Sequence, residues 1–322
     1  MSGPPDDAVL DSVAAATGAN RRDIGLLRRR RYEYATSAVL EDLLVSVAGV
    51  ERELILKHLS WAGLFGDAIT SKQRWLHDPR RELGVYEELA GEGVTPGFCG
   101  GSAEAEGAWV LMERAPGVEL WQVGDFAIWE AVAAWLGRFH SRLRDRVVQL
   151  AARNPALIQY DGAWVGRWSE LAAASVARAG DPRADAVRSV AARHGDVVAE
   201  WAALTPVFVH GELYPSNVLV DDGAADLEVH PVDWEMAGIG PGALDLAALS
   251  GGWGPSERDD LITAYERAAS HPEPDLRRQV NLARLHLALR WLAWADDWRP
   301  PTEHAHDWVA EALDSAADLG LA

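Results

Sequence analysis

Cysteine is almost absent from this chain of 322 residues: Cys99 stands alone. No disulfide framework and no cysteine-rich metal site can be built from it. Lysine is nearly as scarce, since 28 of the 30 basic residues are arginine and only Lys57 and Lys72 are lysine. Positive charge as a whole is short. The 49 acidic side chains leave a net charge of −19, which weighs against a nucleic-acid or anionic-membrane partner. No apolar run approaches the length of a membrane span. The opening MSGPPDDAVLDS has neither a basic n-region nor an apolar h-region, so no signal peptide is expected. Internal repeats and low-complexity linkers are also missing. These absences point to a soluble, cytoplasmic protein, and 48% apolar content at this length suffices for one large domain or two lobes.

What is present concentrates between Val207 and Leu249. An apolar run, Pro206 to Val209, delivers His210-Gly211-Glu212, and Asn217 follows five residues after the glutamate. Val218 to Val220 and a second strand-like run ending at Asp233 flank the turn signal Asp221-Asp222-Gly223. Such a hairpin carries oxygen ligands, Asn217 and Asp233, on adjoining strand ends, with a carboxylate one loop away. Phosphoryl transfer needs that set: one group to receive a hydroxyl proton and two oxygen donors for magnesium.

The stretch resembles the catalytic loop and metal-binding segment of the aminoglycoside phosphotransferase and choline kinase family, relatives of the protein kinases. The family writes the loop as H-G-D, four residues and Asn; here Glu212 stands in the place of the Asp. The later D-[FW]-E and G-P-x-x-x-D-L segments are matched by Asp233-Trp234-Glu235 and by Gly240-Pro241 to Asp245-Leu246. The resemblance implies an α+β, two-lobed protein-kinase-like fold, with a small β-rich nucleotide-binding lobe over 1–112 and a larger, mostly helical catalytic and acceptor-binding lobe over 113–322. It implies ATP (or GTP) and Mg2+ as cofactors and a small-molecule acceptor as partner. Glu212 would accept the hydroxyl proton, Asn217 and Asp233 would hold the metal, His210 would orient the loop, and Asp245 would tie the later segment to it.

Upstream, three strand-like runs are expected at Tyr32 to Ser37, Asp42 to Val47 and Glu53 to Leu59. Residues 4–27 read as a capped short helix and a connecting loop. The Arg28 to Arg31 run reads as a strand edge or a salt-bridged face rather than a polyanion site. Lys57 sits mid-strand on the face opposite Leu56, where the resemblance implies a lysine holding the nucleotide phosphates. The loop Thr36 to Val39 contains no glycine, which leaves backbone contacts and the Ser37 hydroxyl as its means of meeting phosphate. Glu82, in the first turn of a helix over Pro79 to Ala90, matches the family's partner of that lysine, with Glu87 and Glu88 as rivals. The end of the run Ala108 to Glu113 resembles the family's hinge between the lobes, which implies that backbone groups near Glu113 would meet the adenine edge. Lys72, in an exposed-looking S-K-Q-R segment, reads as a stray lysine.

The remainder reads as helical. A buried stripe runs through Trp129, Val132, Leu136, Phe139 and Leu143, and His140 reads as a buried support for the catalytic loop. Another helix begins at Asp275, with Leu282, Leu285, Leu289 and Leu292 facing inward. Trp253, Trp291, Trp294, Asp296 and Asp297 are candidates for the acceptor pocket, against a plain packing role for the tryptophans. Residues 1–112 hold 17 acidic and 12 basic side chains and residues 113–322 hold 32 and 18, so the second part would attract a cationic acceptor, although a generally acidic surface explains the bias as well. Two functions stay open: a kinase of a small, amine-bearing or sugar-like hydroxyl compound, and a nucleotide-binding pseudo-enzyme in which Glu212 marks lost catalysis.

Overall fold

The structure is a computed structural model that describes residues 3–33, 35, 37–66, 68–104, 107–223, 227–271, 273–294 and 306–321. The chain divides into two compact units. The first comprises Met1–Glu119, Arg153–Ala156 and Asn217–Glu235; the second comprises Leu120–Ala152, Leu157–Ser216 and Met236–Ala322.

The first unit begins with helix α1 (Asp6–Thr17), followed by three antiparallel strands, β1 (Ile24–Arg31), β2 (Leu40–Val47) and β3 (Val50–His58). Ala48 and Gly49 close the β2–β3 hairpin with φ of 50° and 85°, the mirror-image two-residue turn that matches strand twist. A short helix α2 (Ala68–Ser71) and helix α3 (Pro79–Glu88) precede β4 (Phe98–Ser102) and β5 (Trp109–Glu113), and the sheet order is β1-β2-β3-β5-β4. Alternation along β3 sends Leu54 and Leu56 to one face, where they pack with Val9 and Val13 of α1 and with Leu43, Val45 and Leu111. Lys57 takes the other face. Asp78 caps α3 by accepting from the Arg80 N–H, and Pro79 supplies the fixed φ of a first helical residue.

The expected strand at Tyr32 to Ser37 is not present among the described residues; the first strand is β1, and it contains all four arginines. The charge of that run hides its periodicity, because β1 is an edge strand whose arginines find carboxylates across the hairpin. Arg29 pairs with Glu41 at 2.6 Å and with Asp6 at 2.7 Å, and Arg28 and Arg30 both meet the buried Asp42.

A second, three-stranded sheet completes this unit. The strand β6 (Val118–Glu119) and the hairpin of Val218–Asp221 and Glu228–Pro231 lie antiparallel, with Val218 opposite Pro231. In the second unit α4 (Phe126–Leu143), capped by Asp125, packs on the helix Pro255–Ala268. The fit is close: a Cβ on Gly137 would stand 2.5 Å from the Tyr265 carbonyl oxygen. Residues 160–204 hold four helices: Gly162–Gly166, Trp168–Arg178, Ala184–Ala192 and His194–Ala202. A small sheet, Ile158–Gln159, Gly238–Pro241 and Pro206–Val209, carries the loop that begins at His210. The helices Ala243–Leu249 and Leu276–Trp294 pack together at the core of this unit. Among the described residues no helix is long and apolar enough to cross a membrane.

Candidate active site

Three residues far apart in sequence meet at one nitrogen in the first unit. Lys57 Nζ donates to Glu82 Oε1 at 2.9 Å, to Glu82 Oε2 at 2.7 Å and to Asp233 Oδ1 at 2.7 Å. Burial works against the Lys57 charge, but Asp233 and Glu82 more than offset it and hold its pKa well above the usual lysine value. Glu82 therefore takes the partner position, and its rivals Glu87 and Glu88 do not. Asn217 immediately precedes the first strand of the hairpin, and its carbonyl accepts the Val232 N–H at 2.9 Å, so Asn217 and Asp233 stand at the same hairpin end. Asp233 has φ of 64°, a left-handed conformation that aspartate tolerates better than most residues. Trp234 is fully buried and bonds the Pro231 carbonyl at 3.1 Å, which anchors the segment between two carboxylates that remain partly exposed.

The sequence reading missed the second lysine. Lys72 is mostly buried, and its Nζ bonds both carboxylate oxygens of Glu235. Glu235 is also held through its backbone, since its carbonyl accepts from Arg81 at 2.6 Å. The signal was in the composition: in a chain that uses arginine almost everywhere, both lysines end on the D-W-E segment.

Ser37 and Glu113 are placed in the same unit, and neither bonds Lys57 among the described residues. The Ser37 carbonyl accepts the Phe65 N–H at 3.1 Å. The Glu113 N–H is spent on the Gly97 carbonyl at 2.7 Å and its carboxylate on Arg52 at 2.9 Å, while the Arg114 N–H bonds the Glu53 carbonyl. Ala115 is the first residue after β5 whose N–H has no partner among the described residues.

In the second unit the loop His210-Gly211-Glu212 is fixed from beneath. Asp245, fully buried, accepts the N–H groups of His210 at 2.7 Å and Gly211 at 2.8 Å, and it lies 3.2 Å from His140 Nε2. His140 Nδ1 meets the Tyr265 hydroxyl at 2.8 Å. His210 is itself fully buried and its Nδ1 accepts the Glu212 N–H at 3.3 Å, a contact that orients the loop from inside. Gly211 has φ of 83°, and a Cβ there would stand 2.1 Å from the Met236 carbonyl oxygen, so only glycine fits.

Glu212 has a partner that the sequence reading did not find. Arg290, fully buried on the helix Leu276–Trp294, donates from Nη2 to Glu212 Oε1 at 2.8 Å. The neighbouring Trp291 Nε1 donates to the Tyr214 hydroxyl at 2.6 Å, and Tyr214 N donates to the Glu212 carbonyl at 2.7 Å. Burial opposes the charge of Arg290, and Glu212 and Tyr214 restore it. One signal was available: an arginine inside the apolar run of residues 285–292 is buried whichever way the helix faces. Trp253 packs its edge against Phe126 and Trp129, Trp294 packs against Trp168, and Trp291 packs against Trp294 and Trp308 while its Nε1 also ties it to the loop. Asp296 and Asp297 lie outside the described residues.

The donor set fits the cofactors that phosphoryl transfer requires. Asn217 and Asp233 offer hard oxygens at one hairpin end, as magnesium prefers. The Lys57 ammonium, held by Glu82, is a fixed positive charge, the kind of group that phosphate oxygens require.

A sequence model of the phosphotransferase enzyme family matches residues 44–282. No match was found among curated protein sequences. Among solved structures, the GDP complex of a point mutant of aminoglycoside 2'-phosphotransferase-IIIa is similar at a TM-score of 0.61 and 15% identity, covering 98% of this chain and 97% of that one. Choline kinase LicA from Streptococcus pneumoniae is similar at 0.59 and 13% identity, covering 98% of each chain. Macrolide 2'-phosphotransferase MphH from Brachybacterium faecium is similar at 0.53 and 19% identity, covering 96% of this chain and 97% of that one. At these identities the likeness establishes the fold.

Proposed function

This chain belongs to the phosphotransferase enzyme family, and from that premise we propose that it moves the γ-phosphate of ATP to a hydroxyl of a small, amine-bearing or sugar-like molecule. The observation that carries the proposal is the meeting of Lys57, Glu82 and Asp233 at one ammonium. A buried lysine bound by one buried and one half-buried carboxylate is a costly arrangement for stability alone, because burying the Lys57 and Glu82 charges is repaid only when each stays paired. Its use is to hold phosphate oxygens.

In this reading Lys57 binds the phosphates of the donor and Glu82 keeps its ammonium from turning away. Asn217 and Asp233 would hold Mg2+, which when bound neutralises charge on the phosphates. Glu212 receives the proton of the acceptor hydroxyl, and Asp245, His210 and His140 keep its loop in place. Asp and Glu carboxylates have similar basicity, so the glutamate changes reach rather than chemistry. The net negative charge of residues 113–322 favours an acceptor bearing an amine. The aminoglycoside and choline kinases of like fold agree with that class. A backbone N–H beyond β5, with Ala115 the nearest free one, would meet the adenine edge.

One observation supports a second reading, nucleotide binding without transfer: Glu212 Oε1 is occupied by the Arg290 guanidinium. A screen of hydroxylated amines, sugars, macrolides and amino acids with Mg-ATP, read by mass spectrometry for phosphate addition, decides between them. Phosphorylated product supports the kinase; nucleotide binding with no product from any acceptor supports the second reading.

A further inference from the structure

Lys57 has no hydrogen-bonding capacity left in this structure. An ammonium has three donors, and all three go to Glu82 Oε1, Glu82 Oε2 and Asp233 Oδ1. Lys72 differs. Its Nζ meets the two oxygens of a single carboxylate, Glu235, so one donor has no partner among the described residues. Its side chain is 22% exposed, against 10% for Lys57, so it is the more reachable of the two. Lys72 feels the charge of Asp233 as attraction and that of Lys57 as repulsion, which puts both ammonium groups around the same acidic segment.

A nucleotide phosphate tail brings several negative charges next to Glu82, Asp233 and Glu235. Protein folds usually meet such a tail with a glycine-rich loop of backbone N–H groups. Here residues 36–39 contain no glycine, and the Val39 N–H is already given to the Gly63 carbonyl at 2.9 Å. The compensating charge must come from side chains. Two compact ammonium groups are retained at that point by a chain whose other 28 basic residues are arginine.

We propose that Lys72 is a second phosphate-binding lysine of the donor site, resting on Glu235 until a nucleotide arrives and then donating to the outer phosphates. The proposal rests on the donor-site reading of Lys57 and Asp233. The contrasting role is a clamp that merely fastens the residues after α2 to Glu235.

Equilibrium binding of adenosine, AMP, ADP and ATP with magnesium, to the whole chain and to Lys72→Gln, separates these roles. The expected result is a loss of about tenfold in ATP affinity, the equivalent of one charge-assisted hydrogen bond, with adenosine and AMP held within about twofold. Unchanged affinity for all four ligands overturns the proposal, and so does an equal loss for all four, which is the behaviour of a clamp. If Lys72→Gln does not fold, Lys72→Arg keeps the ion pair. A loss confined to ADP and ATP then supports the proposal, and unchanged or uniformly lowered affinities overturn it. Wild-type protein that binds none of the four overturns the donor-site reading itself, a result distinct from a failure at Lys72 alone.

Discussion

Arg290 Nη2 lies 2.8 Å from Glu212 Oε1, and the arginine side chain is wholly buried. An aspartate at position 212 would end roughly 1.5 Å short of that contact. The glutamate that departs from the family's usual loop is thus matched by a cation positioned to take its longer reach. Glu212→Asp leaves a buried guanidinium without its carboxylate, and the expected cost is on the order of 3 kcal/mol in urea unfolding. Pairing it with Arg290→Met removes the stranded charge, so the double variant is expected to regain much of that stability. Equal stability of the single and double variants would show that the two residues are not a pair.

Glycine at 211 and glycine at 195 make opposite predictions. Gly211→Ala forces a side chain into a left-handed backbone against the Met236 carbonyl, and a loss of at least about 2 kcal/mol is expected. Gly195 sits in the helix His194–Ala202 with nothing within 4 Å of a built Cβ. Gly195→Ala is expected to gain about 0.5 kcal/mol through helix propensity. Thermal unfolding of both variants checks the pair, and the first should also lose phosphoryl transfer.

Replacing Lys57 by Met leaves Glu82 and Asp233 without the ammonium between them. The expected outcome is a fall of at least about tenfold in ATP affinity together with lower stability. Glu82→Gln keeps the shape and one hydrogen bond to Lys57, so its loss should be smaller in both measurements. Calorimetric titration of ATP gives the order, and Lys57→Met binding as tightly as wild type would remove Lys57 from the donor site.

Acid should weaken the second unit well before its carboxylates titrate. Burial holds the His194 imidazole down at about 4 and drives His286 well below the ordinary value of 6.5, with Arg290 adding to the effect at His286. A depressed folded-state pKa means that the unfolded chain takes the proton first. Stability is then complete above about pH 6.5 and falls as pH drops toward 4. In the second unit Glu311, held near 2, extends the loss through the range below 4.5, and Glu41, also near 2, adds a like loss in the first unit; burial opposes this, but His58 and Arg29 at Glu41 and His306 and Arg284 at Glu311 outweigh it. Urea midpoints at pH 7.5, 6 and 5 should decline for wild type and decline less for His194→Phe. A flat wild-type profile over that range would contradict the assignment.

The parts of the site that are short in sequence were legible. His210, Glu212, Asn217, Asp233 and Asp245 fall within 36 positions, on strand ends that turn residues mark, and Lys57 and Glu82 stand out by alternation and by helix position. The parts fixed by tertiary packing were not. Arg290 meets Glu212 across 78 positions and Lys72 meets Glu235 across 163, and no local pattern encodes either contact. The arginine run was readable as a salt-bridged strand edge, but the start of β1 at Ile24 was not, because residues up to 27 read as a connecting loop until Leu26, Gly25 and Ile24 are seen paired with Val45 to Val47. Glu113 illustrates another limit. Its position at the end of β5 was readable, but which N–H groups remain free depends on how Gly97 and Glu53 pair with the strand.

The most direct measurement is the rate of Mg2+-dependent conversion of ATP to ADP and phosphorylated acceptor, for wild type and for Asp233→Asn. Asparagine tolerates the left-handed backbone at 233 while removing the charge. The account predicts product with wild type and a drop of about a hundredfold or more with the variant, whose unfolding midpoint stays near wild type. Transfer that continues undiminished in Asp233→Asn, or that proceeds equally well without magnesium, would contradict it.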